Sequence, residues 1–467
     1  MRNTTRFGDN LLGTLFRVKR LPVESIPEVR QATTDPLPQH CSTHKARLMI
    51  TSVRLEGFKN FRDATLQLGP LTVIVGTNAS GKSNIRDAFR FLHGMGRGYS
   101  LAEIIGEKYV EGGVLVWKGI RGGIREVAFD GTSSFRMVIS ADDSYFEHDI
   151  AVDVSDQLRG PKVSRESFRS HAPGGRDYLF QSHSADELLP HNSLHKLHIQ
   201  VPTNWMPPRT KETFLFPDNT PVLSQLSQDK RAIPEVSLHV LVAKWSLESI
   251  RFLDLSPEVM KVPSIPGQII LGDRGENLSS VLQDICTDKD SKHALTEWVR
   301  QLTPLDVSDF DFVPDQQGKV LLTLIESTGR RTSAYSASDG TLRFLAIIAA
   351  LMGPDSAKFY FLEEIDNGIH PTRLALLLQL IEQQTKHRGI QVVTTTHSPQ
   401  LLAMLSPEAR QHASLVYRLE GSTEAKITRI VDIPGANEVL ETQNLGRLHE
   451  SGWLENAVQF ANVAETP

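Results

Sequence analysis

Residues 76–83 read Gly76, Thr77, Asn78, Ala79, Ser80, Gly81, Lys82 and Ser83, the pattern G-x-x-x-x-G-K-[ST]. The spacing is a device for holding phosphate. Small residues let successive backbone N–H groups wrap an anion, Lys82 reaches the outer phosphates, and the Ser83 hydroxyl is placed to ligate magnesium. The run LTVIV before it is unbroken and β-rich, and Ile85, Ala88, Phe89 and Leu92 after it recur at helical spacing. At background residue frequencies such a string arises by chance in about one or two per cent of chains this long. With the required strand before it and helix after it, the loop is read as a site for ATP and Mg2+ in an α/β fold, a P-loop NTPase.

Working outward, ITSVRLEGF and ATLQLGP precede the loop as alternating strands, and GVLVW, REVAF, FRMVI and HDIAV follow it as strand-like pieces. These define a β-rich N-terminal lobe with one helix under the loop. Residues 155–235, rich in Ser, His, Pro and Gly, lack a heptad repeat and are read as an insertion. Beyond them LSSVLQDIC and ALTEWVRQL are amphipathic helices and KVLLTLI is a strand. FYFLEE, ALLLQLIEQQ and IQVVTTTH then alternate strand, helix and strand, the order of a mainly parallel sheet covered by helices.

Three further patterns carry chemistry. FYFLEEIDNGIHP places Glu363 and Glu364 side by side at a strand end, where two ionised carboxylates repel unless a cation or a proton lies between them. Glu363 suits the magnesium shell, and Glu364 suits deprotonation of an attacking water. SASDGTLRFLAIIAALM sets Ser338, Asp339 and Gly340 at the start of an apolar helix, which is equally an ordinary N-cap and a site for a phosphate. TTTHSPQLL ends a strand at His397, which either meets the γ-phosphate or merely finishes the strand.

In this order the elements resemble the ABC-type ATPases of the RecF and SMC branch. LEGFKNFRDATLQLGPLTVIVGTNASGKSNIRDAFRFLHG is similar to that branch's opening, including Asn84, while SASDGT, FYFLEEIDNGIHP and TTTHSP resemble its signature loop, Walker B strand and histidine switch. The patterns S-D-G-T-L-R and E-E-x-x-N-G-x-H-P are closest to short-insert bacterial ATPases associated with DNA repair and phage defence, OLD-like without the nuclease domain. The resemblance implies an ABC-type ATPase head in which Gly76, Asn78 to Asn84, Ser338, Asp339 and Gly340 contact ATP. It further implies that Ser83 and Glu363 hold the metal, that Glu364 and His397 act in hydrolysis, and that two ATPs lie between two copies of the chain. A nuclease or other effector is then expected as a separate partner, since only about 70 residues follow His397. The chain departs from the branch in Glu363 for aspartate, Asp339 for glycine and Ala337 for a larger apolar residue. No glutamine lies between Asn84 and Ser155 to link the lobes, and the segment Trp117–Gly123 is the expected substitute.

Composition bounds these readings. No apolar run reaches the roughly 20 residues of a membrane-spanning helix. Two cysteines, Cys41 and Cys286, with no leader pattern, fit a reducing cytoplasm. A net charge of −5 argues against a uniformly basic coat and leaves DNA possible as a partner. The organisation expected is a tail without fixed structure over 1–48, with eight Lys/Arg against four Asp/Glu, then the first part of the head over 49–154. The insertion over 155–235, the second part of the head over 236–430 and a helical segment over 431–467 complete it. His183, His191, His195 and His198 lack the acid and cysteine spacing of a zinc site. The competing functional readings are an ATP-gated protein-interaction module without nucleic-acid contact and a transporter ATPase subunit.

Overall fold

A computed structural model describes residues 48–142, 145–156, 158–172, 175–182, 196–303, 305–353, 357–419 and 421–464. The expected tail, except Leu48, and His183, His191 and His195 lie outside these residues. In chain order the strands are β1 (Ile50–Phe58), β2 (Phe61–Gln67), β3 (Leu71–Val75), β4 (Lys108–Val110), β5 (Val114–Trp117), β6 (Ser134–Ala141), β7 (Phe146–Asp153), β8 (Lys162–Ala172), β9 (Gly175–Ser182) and β10 (Lys196–Pro202). They continue with β11 (Lys211–Pro217), β12 (Ile250–Leu253), β13 (Val307–Pro314), β14 (Val320–Glu326), β15 (Arg331–Ser333), β16 (Phe359–Leu362), β17 (Gln391–Thr396), β18 (Ala413–Arg418) and β19 (Ala425–Arg429). The principal helices are α1 (Lys82–Gly96), α2 (Pro234–Glu248), α3 (Leu278–Ile285), α4 (Lys289–Leu302), α5 (Asp339–Met352) and α6 (Pro371–Arg388).

Two sheets organise the molecule. One has the order β12-β16-β17-β3-β18-β19, parallel except for the last pair, with the phosphate-loop strand β3 between β17 and β18. Its strands β3, β16 and β17 are buried at every position, as a parallel sheet covered on both faces demands. The other sheet is antiparallel, with the order β11-β10-β9-β8-β7-β6-β1-β2. Strands β8 to β11 extend this sheet, β8 pairing with β7 and carrying the ladder onward, so the described strands of the segment expected as an insertion over 155–235 join the sheet of the N-terminal lobe. Their alternation was masked by polar residues on the exposed face, Arg165 and Arg169 among them. REVAF is not a strand. Gly122 and Gly123, both in the left-handed region, turn the chain into a one-turn helix over Gly123–Glu126, and Ala128 alone bridges to Phe58.

Helix α1 lies between the sheets. Its positions 85, 88, 89 and 92 are buried, and the Phe89 ring stands 5.0 Å from that of Phe359 on β16. On its other side Phe91 meets Phe135 of the antiparallel sheet edge-on at 5.3 Å. Truncating such a ring to Ala costs about 3–5 kcal/mol, so the helix that starts at the phosphate loop is also the splice between lobes. Gln391 adds a polar clasp: its amide donates to the carbonyls of Ile50 and Gly69 and accepts from the Ile50 N–H.

Candidate functional site

In a parallel sheet every strand delivers its carboxyl end to the same edge, where ligands bind. Here five strand ends converge on one cavity of about 510 Å³. After β3 comes the phosphate loop, after β16 the pair Glu363 and Glu364, and after β17 His397. Asp254 follows β12, and Arg418 closes β18.

The loop is shaped for an anion. A Cβ on Gly76 would stand 2.2 Å from the Val416 carbonyl oxygen, so only glycine fits against β18. Ala79 takes a left-handed conformation at φ 62°, and Gly81 opens α1 without a side-chain cap. The first turn of α1 carries no acid and no side chain caps it, so its positive end stands unneutralised beside the cavity that Gly81, Lys82 and Ser83 line. Ser80 Oγ is buried with no partner. Lys82 folds back onto the carbonyls of Gly76 and Thr77, each at 2.7 Å, and burial pushes its ammonium down to about 8 while Glu364 pulls the other way. Asn78, Ala79, Gly81, Lys82, Ser83 and Asn84 all line the cavity.

The acids face them. Glu364 is held at φ 46°, outside the usual range for a side chain with a Cβ, and its N–H donates to Thr395 Oγ1 at 3.1 Å. Such strain persists where surrounding structure fixes it, and it collects at functional sites. His397 Nε2 lies 3.7 Å from Glu364 Oε1. Burial, then the charge of Lys82, lowers the His397 imidazole below its ordinary value, while Glu364 pulls the other way. Glu363 is half-buried and pairs with Arg86 of α1 at 2.9 Å. The Ser83 hydroxyl and the Glu363, Glu364 and Asp254 carboxylates are oxygen donors of the kind magnesium takes, and Lys82, Arg121, Arg343 and Arg418 supply the charge a polyphosphate needs.

Ser338, Asp339 and Gly340 do not line this cavity. Ser338 caps α5, accepting from the Thr341 N–H at 3.2 Å, and Asp339 pairs with Lys261 at 2.9 Å. Gly340 packs on the next loop, where a Cβ would stand 2.8 Å from the Gly368 carbonyl oxygen.

Sequence reasoning missed Asp254, Arg343 and Arg418. The first and last had a signal, an apolar run closing on a charge, in IRFLD and SLVYR. The segment Trp117–Gly123 brings Arg121 to the cavity, where it pairs with buried Asp87 at 3.0 Å and donates to Asn84 Oδ1 at 3.2 Å. On the antiparallel sheet, by contrast, Arg54 pairs with Asp63 at 2.8 Å, and Arg136 and Arg165 both pair with Asp149, at 2.7 and 2.6 Å. Those arginines form a charge-matched lattice.

Strand order and phosphate loop together define a P-loop NTPase fold. The chain belongs to the AAA_21 family, described as "AAA domain, putative AbiEii toxin, Type IV TA system", whose model matches residues 71–197 and 211–403. It is 25% identical over 150 residues to an "ATP/GTP phosphatase" of Helicobacter pylori, a match covering 32% of this chain and 39% of that protein. It is 35% identical over 102 residues to the "Chromosome partition protein Smc" of Desulfitobacterium hafniense, covering 21% of this chain and 7% of that protein. The chain thus spans well under half of either relative. Among solved structures, an SmcHead bound to the C-winged helix domain of ScpA matches with TM-score 0.43 and 15% identity, over 81% of this chain and 97% of that one. An Smc head with an extended coiled coil, bound to the C-terminal domain of ScpA from Pyrococcus furiosus, matches with TM-score 0.44 and 14% identity, over 84% and 99%. Among the described residues no helix is long and apolar enough to cross a membrane.

Proposed function

We propose that the chain binds ATP with Mg2+ at the carboxyl edge of its parallel sheet and hydrolyses it. The observation that carries this is the convergence on one cavity of an uncapped, anion-ready phosphate loop and the Glu363–Glu364 pair. Lys82 and the amides from Ala79 to Asn84 hold the phosphates, and Ser83 and Glu363 hold the metal, whose charge offsets that on the phosphate oxygens. Glu364, fixed by Thr395, takes the proton of the attacking water, and His397 faces the γ-phosphate.

Ser338, Asp339 and Gly340 then serve the nucleotide of a second copy, so two ATPs are sandwiched between two subunits and hydrolysis lets the pair open. The family description names a toxin–antitoxin system, and one relative is named for chromosome partition; both support an ATP switch in phage defence or DNA repair that drives a separate nuclease or effector. The charge-matched lattice on the antiparallel sheet favours a second reading, in which the partner is a protein and no nucleic acid is touched.

Glu364→Gln tests the central claim. The amide keeps the shape and leaves Glu363 in place, so ATP binding survives while phosphate release falls by about 10²–10⁴-fold. The variant accumulates as a closed assembly, read by ATP-dependent cross-linking between cysteines placed near Lys82 and Ser338. Turnover at the wild-type rate would dismiss Glu364 as base; a stalled variant with no cross-link would keep the base and remove the two-subunit site.

A further inference from the structure

The two acids after β16 are held in different ways. Glu364 is fixed through its backbone, by its φ of 46° and the bond from its N–H to Thr395, whereas Glu363 meets a cation: Arg86 Nη1 stands 2.9 Å from Glu363 Oε2. Arg86 lies in the second turn of α1, four residues past Lys82, and is not among the residues lining the cavity. Its charge therefore reaches Glu363 from outside the space that this acid shares with Ser83, Asp254 and Glu364. The guanidinium stands over the Phe252 ring of β12 at 5.9 Å, and Phe252 packs on Phe361 of β16 at 6.0 Å.

Both ends of this pair are anchored by other contacts. Three residues along α1, Phe89 packs on Phe359 and Phe361 of β16 at 5.0 and 5.6 Å, and Glu363 is the residue that follows β16. Those rings dock α1 on the parallel sheet without help from charge. An apolar side chain over Phe252 would serve the docking as well as a guanidinium does, because exchanging a buried ion pair for well-packed apolar groups is often neutral or stabilising. The charge at position 86 instead answers a need of Glu363. A glutamate arm turns about two side-chain bonds before its carboxylate, and the neighbouring Glu364 and Asp254 repel it, so an unpaired Glu363 would sample several poses. Engaged through Oε2, the carboxylate keeps one pose and keeps Oε1 for another cation.

We propose that Arg86 is the positioning residue for the metal: it engages one oxygen of Glu363, fixes the arm, and leaves the other oxygen for the magnesium that accompanies the nucleotide. This rests on the Mg-ATP reading of the site and adds the group that orients its metal-holding carboxylate. Arg86 touches neither phosphate nor metal. Groups that orient a ligating side chain typically set metal affinity by about 10–100-fold, so Arg86 governs the metal and leaves binding of the nucleotide itself unchanged.

A magnesium titration tests this, with the melting temperature of the full chain followed at a fixed, saturating concentration of the β,γ-imido analogue of ATP. Binding of the analogue in EDTA and melting without ligand are measured on the same samples. Arg86→Leu is expected to melt near wild type without ligand and to bind the analogue equally in EDTA, while its titration midpoint moves to about 10–100-fold higher free Mg2+. Arg86→Lys keeps the charge without the fork and recovers part of that loss, which a purely structural role would not give. In a Glu363→Gln background, Arg86→Leu is expected to add no further shift. An unchanged midpoint overturns the proposal. A midpoint at lower Mg2+ overturns it too, because Arg86 would then compete with the metal, and so does a full additional loss in the Glu363→Gln background. If Arg86→Leu melts far below wild type without ligand, Arg86→Lys in the two Glu363 backgrounds decides by the same comparison. A wild type whose melting ignores magnesium and the analogue removes the nucleotide site itself, a failure seen before any variant is made.

Discussion

The molecule has two small-residue loops at helix N-termini, and they stand in opposite states. In the phosphate loop a buried hydroxyl, Ser80, has no partner, no side chain caps α1, and Lys82 spends its charge on the loop's own carbonyls. In the loop before α5 the needs are met internally, by the Ser338 cap, the Asp339–Lys261 pair and the Gly340–Gly368 contact. An unsatisfied loop beside a cavity declares its ligand in one subunit. A satisfied loop away from the cavity can serve a ligand only if that ligand arrives on another molecule, and its own chain is stable without it.

The largest effect expected from this contrast is at the open loop. Mg-ATP at about 100 times its dissociation constant stabilises by about 2.7 kcal/mol, and Lys82→Ala is expected to abolish that gain. In a domain of 150 to 250 residues each kcal/mol moves the midpoint by roughly 2–4 °C, so differential scanning fluorimetry resolves it. Equal shifts in wild type and variant would erase the distinction between the loops.

Acid separates the regions next. His93 ends the helix that the open loop begins, and its ring nitrogen lies 3.2 Å from the Leu247 carbonyl. Burial pushes its imidazole down to about 4, against an ordinary value of 6.5, with that hydrogen bond opposing. Between those values the unfolded chain takes up a proton that the folded chain refuses, so stability falls as the pH drops. From pH 7 to pH 5 this one group removes about 2 kcal/mol, and His93→Gln is expected to flatten that part of a denaturant-midpoint profile against pH. A variant as acid-sensitive as wild type would place the acid sensitivity elsewhere.

How much of this was legible beforehand follows from the same contrast. The phosphate loop and the acidic pair stood out because each terminates an apolar strand, and a parallel sheet gathers strand ends without further instruction; His397 follows the largely polar strand QVVTTT, and its reading was decided only through the family resemblance. Asp254 and Arg418 obey that rule and were passed over because no motif flags the ends of β12 and β18. The large sheet was cut at residue 155 because an antiparallel sheet with one exposed face spends half its positions on polar residues, and Ser, His and Arg there read as loop. Arg343 was hidden for another reason: it interrupts an apolar helix, and only the packing of α5 against the Gly368 loop reveals that it points to the cavity.

The smallest effect expected on stability is the most informative about the satisfied loop. Ser338 has a demonstrated task, accepting from the Thr341 N–H, and a proposed one toward the phosphate of a second copy. Substitution by Ala removes both and costs about 1 kcal/mol through the lost cap. Ser338→Asp separates them, because aspartate caps a helix as well as serine does and stability should hold within a few tenths of a kcal/mol. Its carboxylate, however, would meet the γ-phosphate of the partner's nucleotide with like charge, which costs more than a lost hydrogen bond when the site is closed to water. Wild-type melting behaviour, wild-type nucleotide binding and strongly reduced phosphate release are therefore expected together in this variant. If Ser338→Asp turns over ATP normally, Ser338 is a helix cap and nothing more, and the two loops differ because only one of them is a site.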